Sequence, residues 1–218
     1  MRTGRPREFD VDSALETALQ HFWGRGYGAT SLSDLLDTMG IARSSFYQTF
    51  GSKRGVFEHA IDRYRDRLVA QLRKSLAAAP SAAGFLRRTL HSVADDTRRK
   101  DGRRGCLVFN SAAELGQSDP DLAARLAASI DAFAAVFAEA VARAQHEGDV
   151  PPDGDPALLA RHLVCTMSGL RTLARAGARR RDLLQIADVA MSALDAPRAA
   201  VRPRQLPPNQ TKKRRSQS

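Results

Sequence analysis

Residues 30–53, reading TSLSDLLDTMGIARSSFYQTFGSK, constrain this chain more than any other stretch. Leu32, Leu35, Leu36 and Met39 recur at helical spacing and give one apolar face. Thr30 and Ser31 stand before that face, and Ser31 with Asp34 has capping-box spacing, with Asp in place of the usual Glu or Gln. Gly40 falls where the helix must stop, because only Gly takes a positive φ there without strain. Ile41 then plugs the inside of a tight turn. The pattern predicts a second helix over residues 42–49 that buries Phe46 and, beyond it, Phe50. Two short amphipathic helices about such a turn form a helix-turn-helix, which sets one helix into a DNA groove. The same periodicity also fits a plain helical hairpin in an all-α core.

The outer face of the second helix separates these readings. Arg43, Ser44, Ser45, Tyr47, Gln48 and Thr49 are left outside once Phe46 and Phe50 are buried. Arg reads guanine bidentately and Gln reads adenine, whereas Ser, Thr, Tyr and Lys hold phosphates. Arg43, Ser44 and Gln48 are therefore the candidate base readers, and Thr30, Ser45, Tyr47, Thr49 and Lys53 the candidate phosphate contacts. Ser52 is a plausible N-cap for a long helix over residues 53–79. Lys53 then sits in a first turn, where the helix N-terminus and the ammonium share one phosphate. Upstream, Arg2, Arg5 and Arg7 surround Pro6 just before the first helix; such an arm, Arg5 and Arg7 above all, lies over phosphates or enters a narrow minor groove.

The stretch over residues 4–64 resembles the DNA-binding domain of the TetR family of bacterial transcriptional regulators. The resemblance rests on the GRP arm, the F-W-x-R-G-Y-x-A-T-S connection, the L-L-x-x-M-G-I turn and the S-S-F-Y-x-x-F-G-S-K segment. GCLVFNSAAELG (105–116) and SGLRTLARAGA (168–178) are similar, more weakly, to the ligand-binding domain of one branch. Ala42 departs from the pattern, because the family mostly has Ser or Thr as N-cap of the recognition helix; a missing cap costs about 1 kcal/mol. The resemblance implies a homodimer in which the last two helices form a four-helix bundle with their two-fold mates. It also implies that a small-molecule ligand swings the fourth helix and lowers operator affinity, most often in a repressor.

The rest of the chain agrees with an all-α fold of about nine helices. Further helices are expected over residues 11–25, 82–99, 106–116, 120–147, 156–176 and 179–194, with breaks at KDGRRG, QSDP, EGDVPPDGDP and Gly177. The first carries a stripe of Val11, Leu15, Ala18, Leu19 and Phe22, closed by Trp23 and Tyr27. Asp119-Pro120 and Asp155-Pro156 each supply a cap followed by Pro at the first helical position. The expected organisation is an arm (1–10), a helix-turn-helix domain (11–67), a ligand-binding and dimerisation domain (68–196) and a disordered basic tail (197–218). Leu163, Leu170, Leu173, Leu184 and Met191, with small Ser168 and Gly169, are the candidate dimer face. Phe85, Leu86, Leu90, Phe109, Asn110, Phe133, Phe137 and Met167 are the candidate pocket walls, although each one alone also fits an ordinary core.

Charge needs dissection before it is read as a nucleic-acid signal. Of the 34 basic residues, seven fall in residues 198–218, which hold no acid; the remaining 27 face 24 acids, so the net +10 shrinks to +3 elsewhere. Placement of a few side chains, not bulk charge, marks the DNA face. The tail either adds non-specific phosphate affinity or is an inert solubilising extension. With only Cys106 and Cys165, no signal peptide and no apolar run near 20 residues, a cytoplasmic protein is expected, on the nucleoid when bound to DNA. Cys106 follows Arg103-Arg104-Gly105 at a helix start, a setting that lowers a thiol pKa, so a redox- or electrophile-sensing switch is the alternative to a buried hydrophobe. The five His are scattered, no metal-ligand spacing or nucleophile elbow occurs, and neither an enzyme nor a cofactor is expected. A sequence-tolerant architectural DNA binder driven by the tail is a further rival.

Overall fold

The computed structural model describes residues 9–98 and 104–195, and within them the chain forms nine α-helices and no strand. The arm residues Arg2, Arg5 and Arg7 and the tail lie outside the described residues. The order is α1 (Val11–Arg25), α2 (Leu32–Met39), α3 (Arg43–Phe50), α4 (Lys53–Ala77), α5 (Ala82–Asp96), α6 (Leu107–Leu115), α7 (Pro120–Glu147), α8 (Pro156–Arg175) and α9 (Arg180–Asp195). The fifth helix is shorter than expected, with Thr97 as its C-cap.

Local chemistry sets the helix ends. The Ser31 side chain accepts from the Asp34 N–H at 3.1 Å while the Asp34 carboxylate accepts from the Ser31 N–H at 2.8 Å, completing the capping box. The Ser31 hydroxyl and N–H hold the Asp34 carboxyl below its ordinary range. Gly40 ends α2 at φ 66, ψ 32, the left-handed conformation. Ser52 caps α4 through the Gly55 N–H at 3.0 Å. Gly55 is required there for another reason: a Cβ would stand 2.1 Å from the Phe50 carbonyl oxygen, so the α3–α4 link closes only on glycine. Asp119 and Asp155 cap α7 and α8, each with Pro following.

Two hydrophobic cores result. One joins Ala18, Leu19 and Phe22 of α1, Leu35 of α2, Phe46 and Phe50 of α3 and Phe57 and Ile61 of α4 to Leu107 and Val108 of α6 and Leu122, Leu126 and Phe133 of α7. Ala14 belongs to it too, while Val11 and Leu15 are half-buried at its edge. The second core packs α5, the C-terminal part of α7, α8 and α9. The helix-turn-helix therefore has no sealed core of its own. The expected boundary between residues 67 and 68 falls inside α4, one continuous helix.

The candidate dimer residues divide. Leu163, Leu170 and Met191 are buried within the chain, Leu184 is half-buried, and only Leu173 of the five is exposed. The outward apolar side chains of α8 and α9 are Leu158, Leu173, Ile186 and Val189 instead. Helical periodicity marks both faces of an amphipathic helix but does not say which neighbour claims each.

Candidate nucleic-acid interface

The recognition helix begins one residue later than expected, at Arg43, with Ala42 as N-cap and no side-chain cap hydrogen bond. Phe46 and Phe50 face inward, their rings 5.7 Å apart, and anchor α3 to the core. Arg43, Ser44, Tyr47 and Gln48 are exposed, and Ser45 and Thr49 half-buried. This stripe holds one positive charge and no acid, and Arg43 has no ion partner among the described residues. Tyr47 stands edge-on to Phe46 at 5.7 Å and is exposed.

Lys53, in the first turn of α4, places its ammonium 4.2 Å from the centre of the Tyr27 ring. The next residue is turned the other way. Arg54 binds Glu58 at 2.8 Å, Asp119 at 3.0 Å and Asp121 at 3.3 Å, tying the start of α4 to the start of α7. Thr30 departs from expectation. It is 1% exposed, and its hydroxyl donates to the Gly26 carbonyl at 2.7 Å, so the side chain secures the α1–α2 turn and does not face a phosphate.

The turn before α2 is also held from the other domain. Glu114 of α6 accepts the Tyr27 N–H at 3.1 Å and the Gly28 N–H at 2.6 Å. The Trp23 indole donates to the Gly105 carbonyl at 3.2 Å, and Arg104 donates to Gln20 at 3.0 Å. A lone Glu in a helix carries no sequence signal for this role, because its partners are backbone groups more than 80 residues away.

Behind the interface, α4 and α5 enclose a cleft of about 940 Å³. Trp23, Tyr64, Leu68, Leu72 and Phe85 give it apolar walls; Arg67, Arg88 and Arg171 line it alongside Asp95 and Asp96. Of the expected wall residues only Phe85 lines this cleft. Leu86, Leu90, Phe137 and Met167 are core, Phe133 belongs to the N-terminal core, and Phe109 packs against both. Asn110 donates to the Arg104 carbonyl at 2.8 Å and borders a smaller pocket at the α1–α6 junction. The sequence pattern selects large apolar residues, which the core claims first; the cleft is half polar. Cys106 is 2% exposed and is the N-cap of α6. Burial, and then the neighbouring Cys106 thiol, push the Tyr64 phenol far above its ordinary value. Tyr64 lines the cleft and Cys106 does not.

Comparison with known proteins assigns this arrangement. Residues 14–60 match the family described as "Bacterial regulatory proteins, tetR family", and residues 82–188 match "Tetracyclin repressor-like, C-terminal domain". The HTH-type transcriptional repressor ComR of Escherichia coli (strain K12) is 34% identical over 185 residues, covering 84% of this chain and 88% of ComR. The chain belongs to the TetR family. It is a helix-turn-helix transcription regulator and not an enzyme. The HTH-type regulator YezE of Bacillus subtilis (strain 168) is 33% identical over 193 residues, 88% of this chain and 100% of YezE. A cysteine mutant of the TetR family regulator CifR, solved with 26 bp double-strand operator DNA, superposes with a TM-score of 0.75 at 33% identity, covering 88% of this chain and 100% of CifR. No helix among the described residues is long and apolar enough to cross a membrane.

Proposed function

We propose that this TetR-family protein is a homodimeric repressor that holds a palindromic operator and releases it when a small molecule enters the α4–α5 cleft. It acts in the cytoplasm, on the nucleoid. The observation that carries the reading is the acid-free, outward stripe of α3 above a buried Phe46. Arg43, Ser44 and Gln48 read base edges, and Ser45, Tyr47, Thr49 and Lys53 hold phosphates. The arm residues Arg5 and Arg7 add contacts beside the major groove. Pairing through Leu158, Leu173, Ile186 and Val189 sets two copies of α3 about one DNA turn, ~34 Å, apart.

Footprinting of the full chain on the inverted repeats next to its own gene tests this. Protection of one palindrome with a 2:1 stoichiometry is expected; protection of random duplex with equal affinity would leave only an architectural binder. Deleting residues 198–218 separates the two again, since sequence-specific binding survives that loss. A thiol-based switch is the second reading, favoured by the contact between Cys106 and the cleft-lining Tyr64. Oxidant-triggered release from DNA that persists in Cys106→Ser excludes it.

A further inference from the structure

We infer that the α4–α5 cleft takes an amphipathic organic anion, its charged group held by Arg171; this rests on reading that cleft as the effector site. The cleft's charges are unequally satisfied. Arg67 donates to both carboxylate oxygens of Glu16, at 3.1 and 2.5 Å. Asp95 accepts two N–H groups from Arg180, at 2.7 and 3.1 Å. Arg171 differs. Its side chain is only 23% exposed, and its one ion contact is to Asp96 at 4.0 Å, beyond hydrogen-bond length. Among the described residues no hydrogen bond holds it, so a half-buried side chain offers its five guanidinium donors to whatever fills the cleft. Arg88, also on the cleft wall, has no ion partner among the described residues.

A partly desolvated guanidinium with open donors gains most from a planar or tripodal anion, which takes two parallel N–H bonds. The apolar half of the ligand has its place as well. The Trp23 and Tyr64 rings meet edge-on at 5.2 Å, and Phe85 also lines the cleft. Arg171 stands on α8, whose outer face carries Leu158 and Leu173, and Tyr64 stands on α4, whose first turn carries Lys53. An anion on Arg171 with its body against Tyr64 therefore touches the dimer helix and the DNA-positioning helix together.

A matched pair of fluorescent probes tests the inference on the full-length protein: anionic 1-anilinonaphthalene-8-sulfonate and its uncharged skeleton N-phenyl-1-naphthylamine. Wild type is expected to bind the sulfonate roughly tenfold or more tighter. Arg171→Gln removes that preference and leaves the neutral probe unchanged. Asp96→Asn, which takes away the acid facing Arg171, raises the preference, an effect no folding defect mimics. Equal binding of both probes by wild type, or an equal loss of both in Arg171→Gln, overturns the inference. So does tighter binding of 1-naphthylmethylammonium than of the sulfonate. Operator retention measured in the same titrations keeps the two readings apart: Arg171-dependent binding without DNA release upholds the anion site and removes the effector role.

Discussion

The face of α3 and the cleft between α4 and α5 hold their side chains in different ways. On α3, eight consecutive residues supply both the anchor and the reading edge: Phe46 and Phe50 go in, and Arg43, Ser44, Tyr47 and Gln48 stay out. In the cleft each wall comes from a different helix, with Trp23 from α1, Tyr64 and Arg67 from α4, Phe85 and Arg88 from α5 and Arg171 from α8. The first surface is encoded by a local period and survives as long as one short helix is docked. The second exists only when these four helices are packed in register, so any force that shifts one of them changes it. That asymmetry suits the proposed function, in which the reading surface stays constant while the sensing surface deforms.

Phe57 puts the largest strain on this comparison. It is fully buried, 5.0 Å from the Phe22 ring and 4.7 Å from the Tyr27 ring, in the core that also takes in α6 and α7. Phe57→Ala should cost about 3–5 kcal/mol. Because that core is shared, denaturant unfolding followed by circular dichroism and by Trp23 fluorescence should remain one transition at a lower midpoint. Two separated transitions would mean that the helix-turn-helix stands alone, and the comparison would fail.

The next test leaves both surfaces intact and removes their symmetry. Val189 is 70% exposed, so Val189→Arg is not expected to disturb the fold of one chain. In the assembly it buries an unpaired charge. Sedimentation should show a monomer, and operator affinity should fall about a hundredfold as the second half-site contact is lost. A variant that stays dimeric places the pairing face elsewhere.

Smaller effects separate the two kinds of DNA contact on α3 and α4. Gln48→Ala should cost roughly 1–3 kcal/mol and relax preference at one base pair in each half-site. Lys53→Gln should weaken all sequences alike and flatten the salt dependence of binding by about one counterion. Binding titrations on a panel of single-base operator variants read both. If Lys53→Gln changes sequence preference, its contact with Tyr27 steers α3 and does more than hold a phosphate.

What the sequence disclosed follows the same divide. The capping box, the Gly40 stop and the Asp-Pro starts were all legible, since each is settled within four residues. The outward stripe of α3 was legible because two aromatics fix its phase. Thr30 was misjudged because a hydroxyl beside a cap looks the same whether it meets a phosphate or the Gly26 carbonyl. The cleft was missed because its lining is half polar and dispersed over several helices; Arg171 is noticeable only once its one ion contact, Asp96, proves to lie 4.0 Å away. Ala42 offers a direct check on the local half. Ala42→Ser restores a side-chain cap and should stabilise the protein by up to about 1 kcal/mol in thermal unfolding. A loss of stability would show that the first turn of α3 is positioned by the core and not by its own end.

Glu16 gives the smallest expected effect and bears on the cleft. Hydrogen bonds from Arg67, with those of Gln20 and the charges of Arg67 and Arg63, outweigh burial and hold its carboxyl at about 2, against 4.5 ordinarily. A carboxyl lowered in the folded state contributes stability that is fully present above 4.5 and is lost as pH falls towards 2. Glu16→Gln should therefore be less stable than wild type at neutral pH, with the difference closing over that acid window. With the Glu16 side chain about a third exposed, screening keeps the difference below roughly 1 kcal/mol. The same substitution frees Arg67, which lines the cleft, to meet an anion beside Arg171. Tighter sulfonate binding in Glu16→Gln is the expected sign, and unchanged binding would confine the anion to Arg171 alone.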